Sequence, residues 1–533
     1  MKIKYILIYL LSLVMMACGD DSPSTPDSPD NPDGPGTSVE KSVTVNAGQT
    51  YQTIVGFGAS DCWSPAYVGK HWTSSRDKIS ELLFSSAIES GKPKGIGLSM
   101  WRVNLGGGSA EQGDASGIAD KSRRAESYLT ANGTLDWTRC EGQRYFMKRA
   151  KELGCENFVL FSNTPPVQYT SNGKGFSSSG GVSNLKSEYY DDFAAYLANV
   201  TKYYVGEGYS ITHISPVNEP QYNWESGQEG SGWTNDEVAR LARELDKSLS
   251  SSSLSTDILL GESGDWEYLY KTKSDDNRSN VLSAFFTPGS SAYVGDLAHV
   301  KKLICGHSYW TDGTWEGMRS VRQQVAQAAK QYGLDVWQSE WSMLGDGYSS
   351  SEFVGYDKAT EMDIALYMSK VIHNDLTVAG VTSWSYWTSM DVAHWGHKNR
   401  FLLISLVPSG GVDGDIAQEG TYQPAATLWV LGNYSRFIRP GYRRIGLDLN
   451  ESRSFFGSAW ISPDGDKIVT VYTNLSDKGV RLNETHTGWS GEVKSVTTYT
   501  TTGSKNLIES TVAADQSVVL DAGSVTTVVY QLK

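Results

Sequence analysis

The 533-residue chain exceeds one small domain, and at roughly 150 residues per domain it holds up to three, fewer if a barrel takes up most of the length. A formal net charge of −14, with no basic run to offset it, excludes nucleic acid and anionic membrane as electrostatic partners. Aromatic residues make up 11 %, including 17 Trp and 29 Tyr, more Trp than core packing ordinarily needs.

The chain opens with two early lysines and an apolar run that is too short for a comfortable membrane-spanning helix, so residues 1–18 read as an export signal. Ala17-Cys18 resembles a bacterial lipobox, although Met15 and Met16 fit its flank imperfectly. Lipidation of Cys18 is expected, with anchoring at the bacterial outer membrane or cell surface. An ordinary cleaved signal with an incidental cysteine is the alternative. Residues 19–41 are nearly all Pro, Asp, Ser and Gly and cannot bury enough apolar surface to offset chain entropy, which predicts a solvated tether. Membrane contact is expected only through Cys18, and the body is expected to be a monomer. Cys62, Cys140, Cys155 and Cys305 match no zinc spacing and are expected to be mostly free, buried thiols.

Residues 42–54 have the short alternating character of strands that join a C-terminal sheet. From 55 to 439, eight β-rich runs alternate with longer amphipathic ones: 54–60, 97–107, 157–166, 212–220, 257–266, 302–310, 335–343 and 380–388. Helices are predicted between them, at 140–154, 189–208, 234–250, 318–333 and 359–376. In the fourth of these, Met318, Val321, Val325, Ala328 and Ala329 share one side and Gly333 supplies the stop. Eight strands followed by helices predict an α/β fold, a (β/α)8 TIM barrel. Residues 440–533 carry short alternating runs broken by Gly, Asp and Asn, which predicts an attached antiparallel β-sandwich formed with the N-terminal strands. An independent binding module is the alternative there.

Each predicted strand turns polar or aromatic at its C-terminal end: Asn104, Asn163, Asn218 with Glu219, Glu262, His307 with Tyr309, Glu340, and Trp384 with Tyr386. In a barrel these ends share one rim. Glu219 ends the fourth strand and Glu340 the seventh, so the two face each other across the mouth. Two such carboxyls are what glycoside hydrolysis needs, one to protonate the leaving oxygen and one to attack or to activate water. Glu262 also ends a strand, but its surroundings parallel neither acid, and it reads as a hydrogen bond or ion pair at the rim.

Asn218-Glu219-Pro220 with Glu340 resembles the retaining glycoside hydrolases of clan A. "GFGAS", "WRVNLGG", "SNTPPVQYTSNG", "HSYW", "SWSYW" and "LGNYSRFIRPG" extend that to a resemblance to glycoside hydrolase family 30, over roughly residues 42–533. The resemblance implies that Glu219 is the acid/base and Glu340 the nucleophile, that Asn218 binds the sugar 2-hydroxyl, and that Arg102 and Tyr309 keep the nucleophile ionised. It also implies that Trp384 floors the reacting sugar and that His307 and Trp341 form walls. Asp61, Trp63 and Trp224 are weaker candidates for hydroxyl contact and stacking, and Asn163 stands where many members have Trp.

No cofactor and no metal are implied. His394 and His397 have no evident third ligand and are read as part of a polar loop. Among the substrates that the resemblance implies, namely β-1,6-galactan, β-1,6-glucan, glucuronoxylan and glucosylceramide, the "GFGASDCWSP", "NTPP" and "QYNWESG" runs look most like the endo-β-1,6-galactanase branch. Glucuronoxylan, served by Arg400 or Lys398, is the runner-up. A non-catalytic surface glycan-binding lipoprotein is the reading from another class.

Overall fold

Eight short runs lie side by side and parallel: Gly56–Ser60, Met100–Asn104, Asn157–Phe161, Ile211–Ser215, Asp257–Ile258, Leu303–His307, Asp335–Trp341 and Ser383–Tyr386, the first to eighth barrel strands. The eighth pairs with the first, and the ring closes between the fifth and sixth where Cys305 N–H donates to Leu260 O at 3.0 Å and His307 N–H to Ser263 O at 2.9 Å. This computed structural model describes residues 38–533 apart from 178–179, 274, 345–351, 356, 490 and 514–515. Cys18, the signal segment and residues 19–37 of the predicted tether lie outside them.

The outer ring follows from sequence patterns already noted. Helices Glu141–Glu152, Tyr190–Gly206, Asn235–Ser251, Trp315–Tyr332 and Glu361–Asn374 fall where they were predicted. Thr234 with Glu237, and Thr360 with Asp363, form capping boxes that satisfy the first free amides of two of them. Gly333 ends the helix before the seventh strand at φ +65°, a left-handed conformation that costs glycine little. Ser64–His71 and Arg76–Phe84, after the first strand, were not predicted.

Inside the barrel, alternate residues stack in two layers. Met100, Val159, Leu259, Cys305 and Trp337 form an apolar lower layer, closed by the rings of His213 and Trp337 at 4.4 Å. Gly58 belongs to this layer because a Cβ there would stand 2.9 Å from Ser385 Oγ and 3.0 Å from Met100 O. The next inward positions on the same strands include Ser60, Arg102, Phe161 and His307.

Apart from a three-stranded sheet (Met390–Val392, Ile404–Val407, Thr421–Pro424) and a short two-stranded one (Ile88–Glu89, Lys92–Pro93), the other described strands form a nine-stranded ladder that curls around its own apolar core, including Val43, Val45, Ile445, Tyr472, Val528 and Tyr530. Val39–Thr53 is a single strand within it, antiparallel to Arg443–Asp448. It also runs parallel to Val480–Thr487, whereas the other described pairs of this sheet are antiparallel. Cys62, Cys140, Cys155 and Cys305 are free and buried. No helix among the described residues is long and apolar enough to cross a membrane.

Candidate active site

The upper inward layer holds an unusual density of charge for a protein interior. The Arg102 guanidinium lies 3.5 Å from the Phe161 ring centroid and donates to Glu340 Oε1, to Asn218 Oδ1 at 3.0 Å and to Ser60 Oγ at 3.1 Å. Its Nη2 is also 3.2 Å from Glu262 Oε1. Tyr309 donates its hydroxyl to Glu340 Oε2 at 3.3 Å. His307 bridges the acids, with Nδ1 at 2.8 Å from Glu219 Oε1 and Nε2 at 2.9 Å from Glu262 Oε2, while Ser339 donates to the same Glu262 oxygen at 2.7 Å. All of these side chains are buried.

Local backbone geometry delivers them. Glu219 and Glu262 sit at φ +41° and +40°, left-handed conformations that are uncommon for non-glycine residues and that recur at functional sites. The seventh strand breaks register between Gln338 and Glu340. An extra residue there changes the parity, so Ser339 reaches Glu262 while Glu340 faces Arg102, Tyr309 and His307.

Electrostatics follow from burial and pairing. Burial works against charge on Glu262, yet Arg102, and after it His307 and Ser339, hold its carboxyl down at about 2. Burial likewise opposes charge on His307, but Glu340 and the bonds to Glu219 and Glu262 lift it to about 10, so both ring nitrogens carry protons and donate. Burial, with the Glu219 and Glu262 charges, pushes Glu340 up against the pull of His307 and Arg102. Two cations face three carboxyls. The buried cluster thus carries one carboxyl more than it has cations, and at Glu340 burial and the neighbouring acids outweigh the pull of His307 and Arg102.

Glu219, His307 and Glu340 bring one nitrogen or oxygen each within 4.8 Å of one another, a spacing that a metal ion would accept. The chemistry of the donors does not fit one: a protonated imidazole has no lone pair to give, and the Arg102 guanidinium already occupies Glu340.

The structure therefore joins Glu219, Glu340, Asn218, Arg102, Tyr309 and His307 in one network. Other sequence candidates stand elsewhere. Trp384 has no exposed surface and donates Nε1–H outward to Asp375 Oδ2 at 2.9 Å, so it floors nothing. Ser383 and Ser385 take the inward positions of the eighth strand, their hydroxyls against Met100 Sδ, and alternation turns Trp384 toward the helices. Trp341 is likewise no wall: just past the register break it points outward, with Nε1–H on Asp312 Oδ2 at 2.9 Å. Asp61 is buried and accepts from Asn104 N–H at 2.7 Å and Gln143 Nε2 at 2.9 Å, a brace for the second strand rather than a sugar contact.

Trp63 lies at the mouth in a small cluster with Cys62, Phe161 and Trp387. Trp224 is half-buried and donates Nε1–H to Glu219 O at 3.1 Å. Asn163 donates to Asn104 Oδ1 at 3.3 Å. Among the residues that sequence reasoning missed, Trp387 is partly exposed and edge-on to Trp63 at 5.3 Å, the inward aromatic that Trp384 was expected to be. Its signal was present in "SWSYW", where the small residues mark the inward parity and Trp387 continues it.

Comparison with known proteins adds to this geometry. The model of O-Glycosyl hydrolase family 30 matches residues 40–398. An endo-β-1,6-galactanase of Hypocrea rufa is 24 % identical over 422 residues, 75 % of this chain and 75 % of that one. Glucuronoxylanase XynC of Bacillus subtilis (strain 168) is 24 % identical over 470 residues, 87 % and 85 % of the two chains. A conserved exported protein of Bacteroides fragilis superposes with a TM-score of 0.84 at 29 % identity, covering 92 % of this chain and 100 % of that one.

Proposed function

Because the chain belongs to O-glycosyl hydrolase family 30, we propose that it is a retaining enzyme that cuts β-1,6-galactan side chains of plant arabinogalactan internally, with Glu219 as acid/base and Glu340 as nucleophile. The observation that carries the mechanism is the approach of the two carboxyls, whose oxygens come within 4.8 Å. Oxygens no farther apart than that support attack through a covalent intermediate, where the carboxyls stand close, over the wider spacing of roughly 6.5–9.5 Å that admits a water.

In the first step the Glu340 carboxylate attacks the anomeric carbon, the bond to the leaving oxygen breaks, and Glu219 gives that oxygen its proton. In the second, water attacks the same carbon, loses a proton to Glu219 and frees Glu340. Arg102 and Tyr309, both on Glu340, favour its charged form, as a nucleophile requires. The Asn218 carbonyl is spent on Arg102, which leaves its NH2 for the sugar 2-hydroxyl.

The galactan reading rests on the sequence runs noted above together with the galactanase relative. The xylan reading asks a basic group beyond the eighth strand to take a glucuronate. Arg400 is buried there, and Lys398 Nζ donates to Asp357 O at 3.1 Å and to Ala359 O, which weighs against xylan. A non-catalytic glycan binder has no need of the paired acids.

The N-terminal pattern supports export and lipid attachment at Cys18, and the proposed enzyme is a monomer with a barrel body over 55–439 and a sandwich over 440–533. Reducing-sugar release from β-1,6-galactan, β-1,6-glucan and glucuronoxylan tests the substrate, and a strict preference for xylan overturns it. Glu219→Gln is expected to lose on the order of 10²–10⁴ in rate on natural linkages and far less on aryl glycosides whose leaving group needs no proton. Equal losses on both would contradict the role given to Glu219.

A further inference from the structure

Two of the 17 Trp stand out as exposed, Trp310 at 53 % and Trp395 at 39 %, and both follow barrel strands, the sixth and the eighth. A single exposed aromatic means little. These two, however, are held in place by chains of contacts that lead back to the active site.

Trp310 follows Tyr309, which donates to Glu340, and its own backbone is left-handed at φ +61°, a genuine outlier for so bulky a residue. Its Nε1–H donates to Tyr222 Oη at 3.2 Å, Tyr222 stands edge-on to Trp224 at 5.8 Å, and Trp224 donates to the Glu219 carbonyl. The exposed indole is thus braced by the loop that carries the acid. On the other side, Trp395 donates Nε1–H to Asp120 Oδ2 at 3.2 Å and lies 4.4 Å from the Arg123 guanidinium. The same guanidinium is 4.6 Å from the Trp63 ring, and Trp63 meets Trp387. Arg123 is pinned by Asp391 Oδ2 at 2.6 Å.

The fourth strand, whose loop holds the Trp310 indole through Tyr222, lies across the barrel from the eighth. We infer that Trp310 and Trp395 are sugar-stacking platforms at opposite ends of one cleft, Trp310 for sugars on the leaving-group side and Trp395 for sugars on the donor side. The assignment of sides rests on the proposed roles of Glu219 and Glu340. An acid must stand beside the glycosidic oxygen, so the aromatics braced by its loop flank the leaving chain. Trp387 and Trp63 pack with Phe161, beneath the guanidinium that holds Glu340, so the chain of contacts that ends at Trp395 extends from the donor sugar. Indole faces with fixed edges suit the axial C–H faces of pyranoses.

The test uses the full-length protein and a reducing-end-labelled β-1,6-galactohexaose, or the matching gluco- or xylohexaose if the polymer panel selects that linkage. Trp310→Ala is expected to weaken the leaving side and move cleavage toward the reducing end. Trp395→Ala is expected to weaken the donor side and move it toward the non-reducing end. Each should lower kcat/KM by about three- to tenfold, the worth of one aromatic contact, mostly through KM. The Trp→Phe forms keep a stacking face and should keep the wild-type pattern, which separates stacking from damage to the fold. Cleavage positions that stay put in both Ala variants, or move the same way, overturn the inference even where rates fall. A wild type inactive on all three polymers overturns the proposed function and this inference with it.

Discussion

Inside the barrel, two layers built by the same strands a few residues apart follow opposite rules. The lower one, Met100, Val159, Leu259, Cys305 and Trp337, is held by removal of apolar surface from water. The upper one, Arg102, Glu219, Glu262, His307 and Glu340, takes charges out of water and keeps them only because each has partners. The lower layer therefore tolerates changes of shape at a graded cost, whereas the upper layer fails when a single partner leaves. A scaffold that is robust below and brittle above holds reacting groups in fixed positions.

The sharpest way to break this contrast is Arg102→Leu. The substitution is apolar and shorter, and it leaves Glu262 and Glu340 buried without the guanidinium that joins them. Loss of one partner of such a pair costs about 4 kcal/mol, and urea unfolding should show it. Leu259→Ala, in the lower layer, should cost about 3 kcal/mol through the cavity it leaves while the pH dependence of the activity keeps its shape. If Arg102→Leu proves the milder of the two, the upper cluster is not held by charge pairing.

The pH dependence of stability separates the layers further. Glu262 has its folded pKa lowered, to about 2 from an ordinary 4.5, so its contribution is complete above pH 4.5 and fades as pH falls toward 2. His307 is raised, to about 10 from 6.5, so its contribution is complete below pH 6.5 and fades as pH rises through 10. Glu262→Gln should flatten the acid limb by on the order of 3 kcal/mol and reduce the alkaline limb only in part, since Glu340 and Glu219 still favour the His307 charge. An acid limb of unchanged size in Glu262→Gln would mean that Arg102 and His307 do not act on that carboxyl.

Much of the lower layer and its frame could be read in the chain because periodicity states it directly: eight strands and five helices lie where alternation and helical spacing put them. Glu219 and Glu340 were legible as strand-end acids for the same reason. What the pattern hid was parity after an irregularity. The register break before Glu340 turns Trp341 outward, and nothing in "VWQSEWS" announces it. The central place of Glu262 was hidden too, since its partners Arg102, His307 and Ser339 come from three other strands and meet only when the barrel closes. Helices Ser64–His71 and Arg76–Phe84 escaped because their apolar stripes are short and interrupted.

The smallest expected effect tests that parity argument at the eighth strand. Trp384 donates to Asp375, which also accepts from Arg322 Nε at 2.8 Å and from the Ser308 hydroxyl at 2.8 Å, a buried polar knot between the barrel and its helices. Trp384→Phe removes one hydrogen bond from that knot and should cost about 1 kcal/mol of stability, with kcat/KM on the polymer close to wild type. Trp387→Phe keeps a ring at the mouth, whereas Trp387→Ala removes the partly exposed face beside Trp63 and should raise KM. If Trp384→Phe impaired turnover more than Trp387→Ala, the eighth strand would be presenting its other edge to the substrate. The small-residue alternation of Ser383 and Ser385 would then have been misread as the inward face.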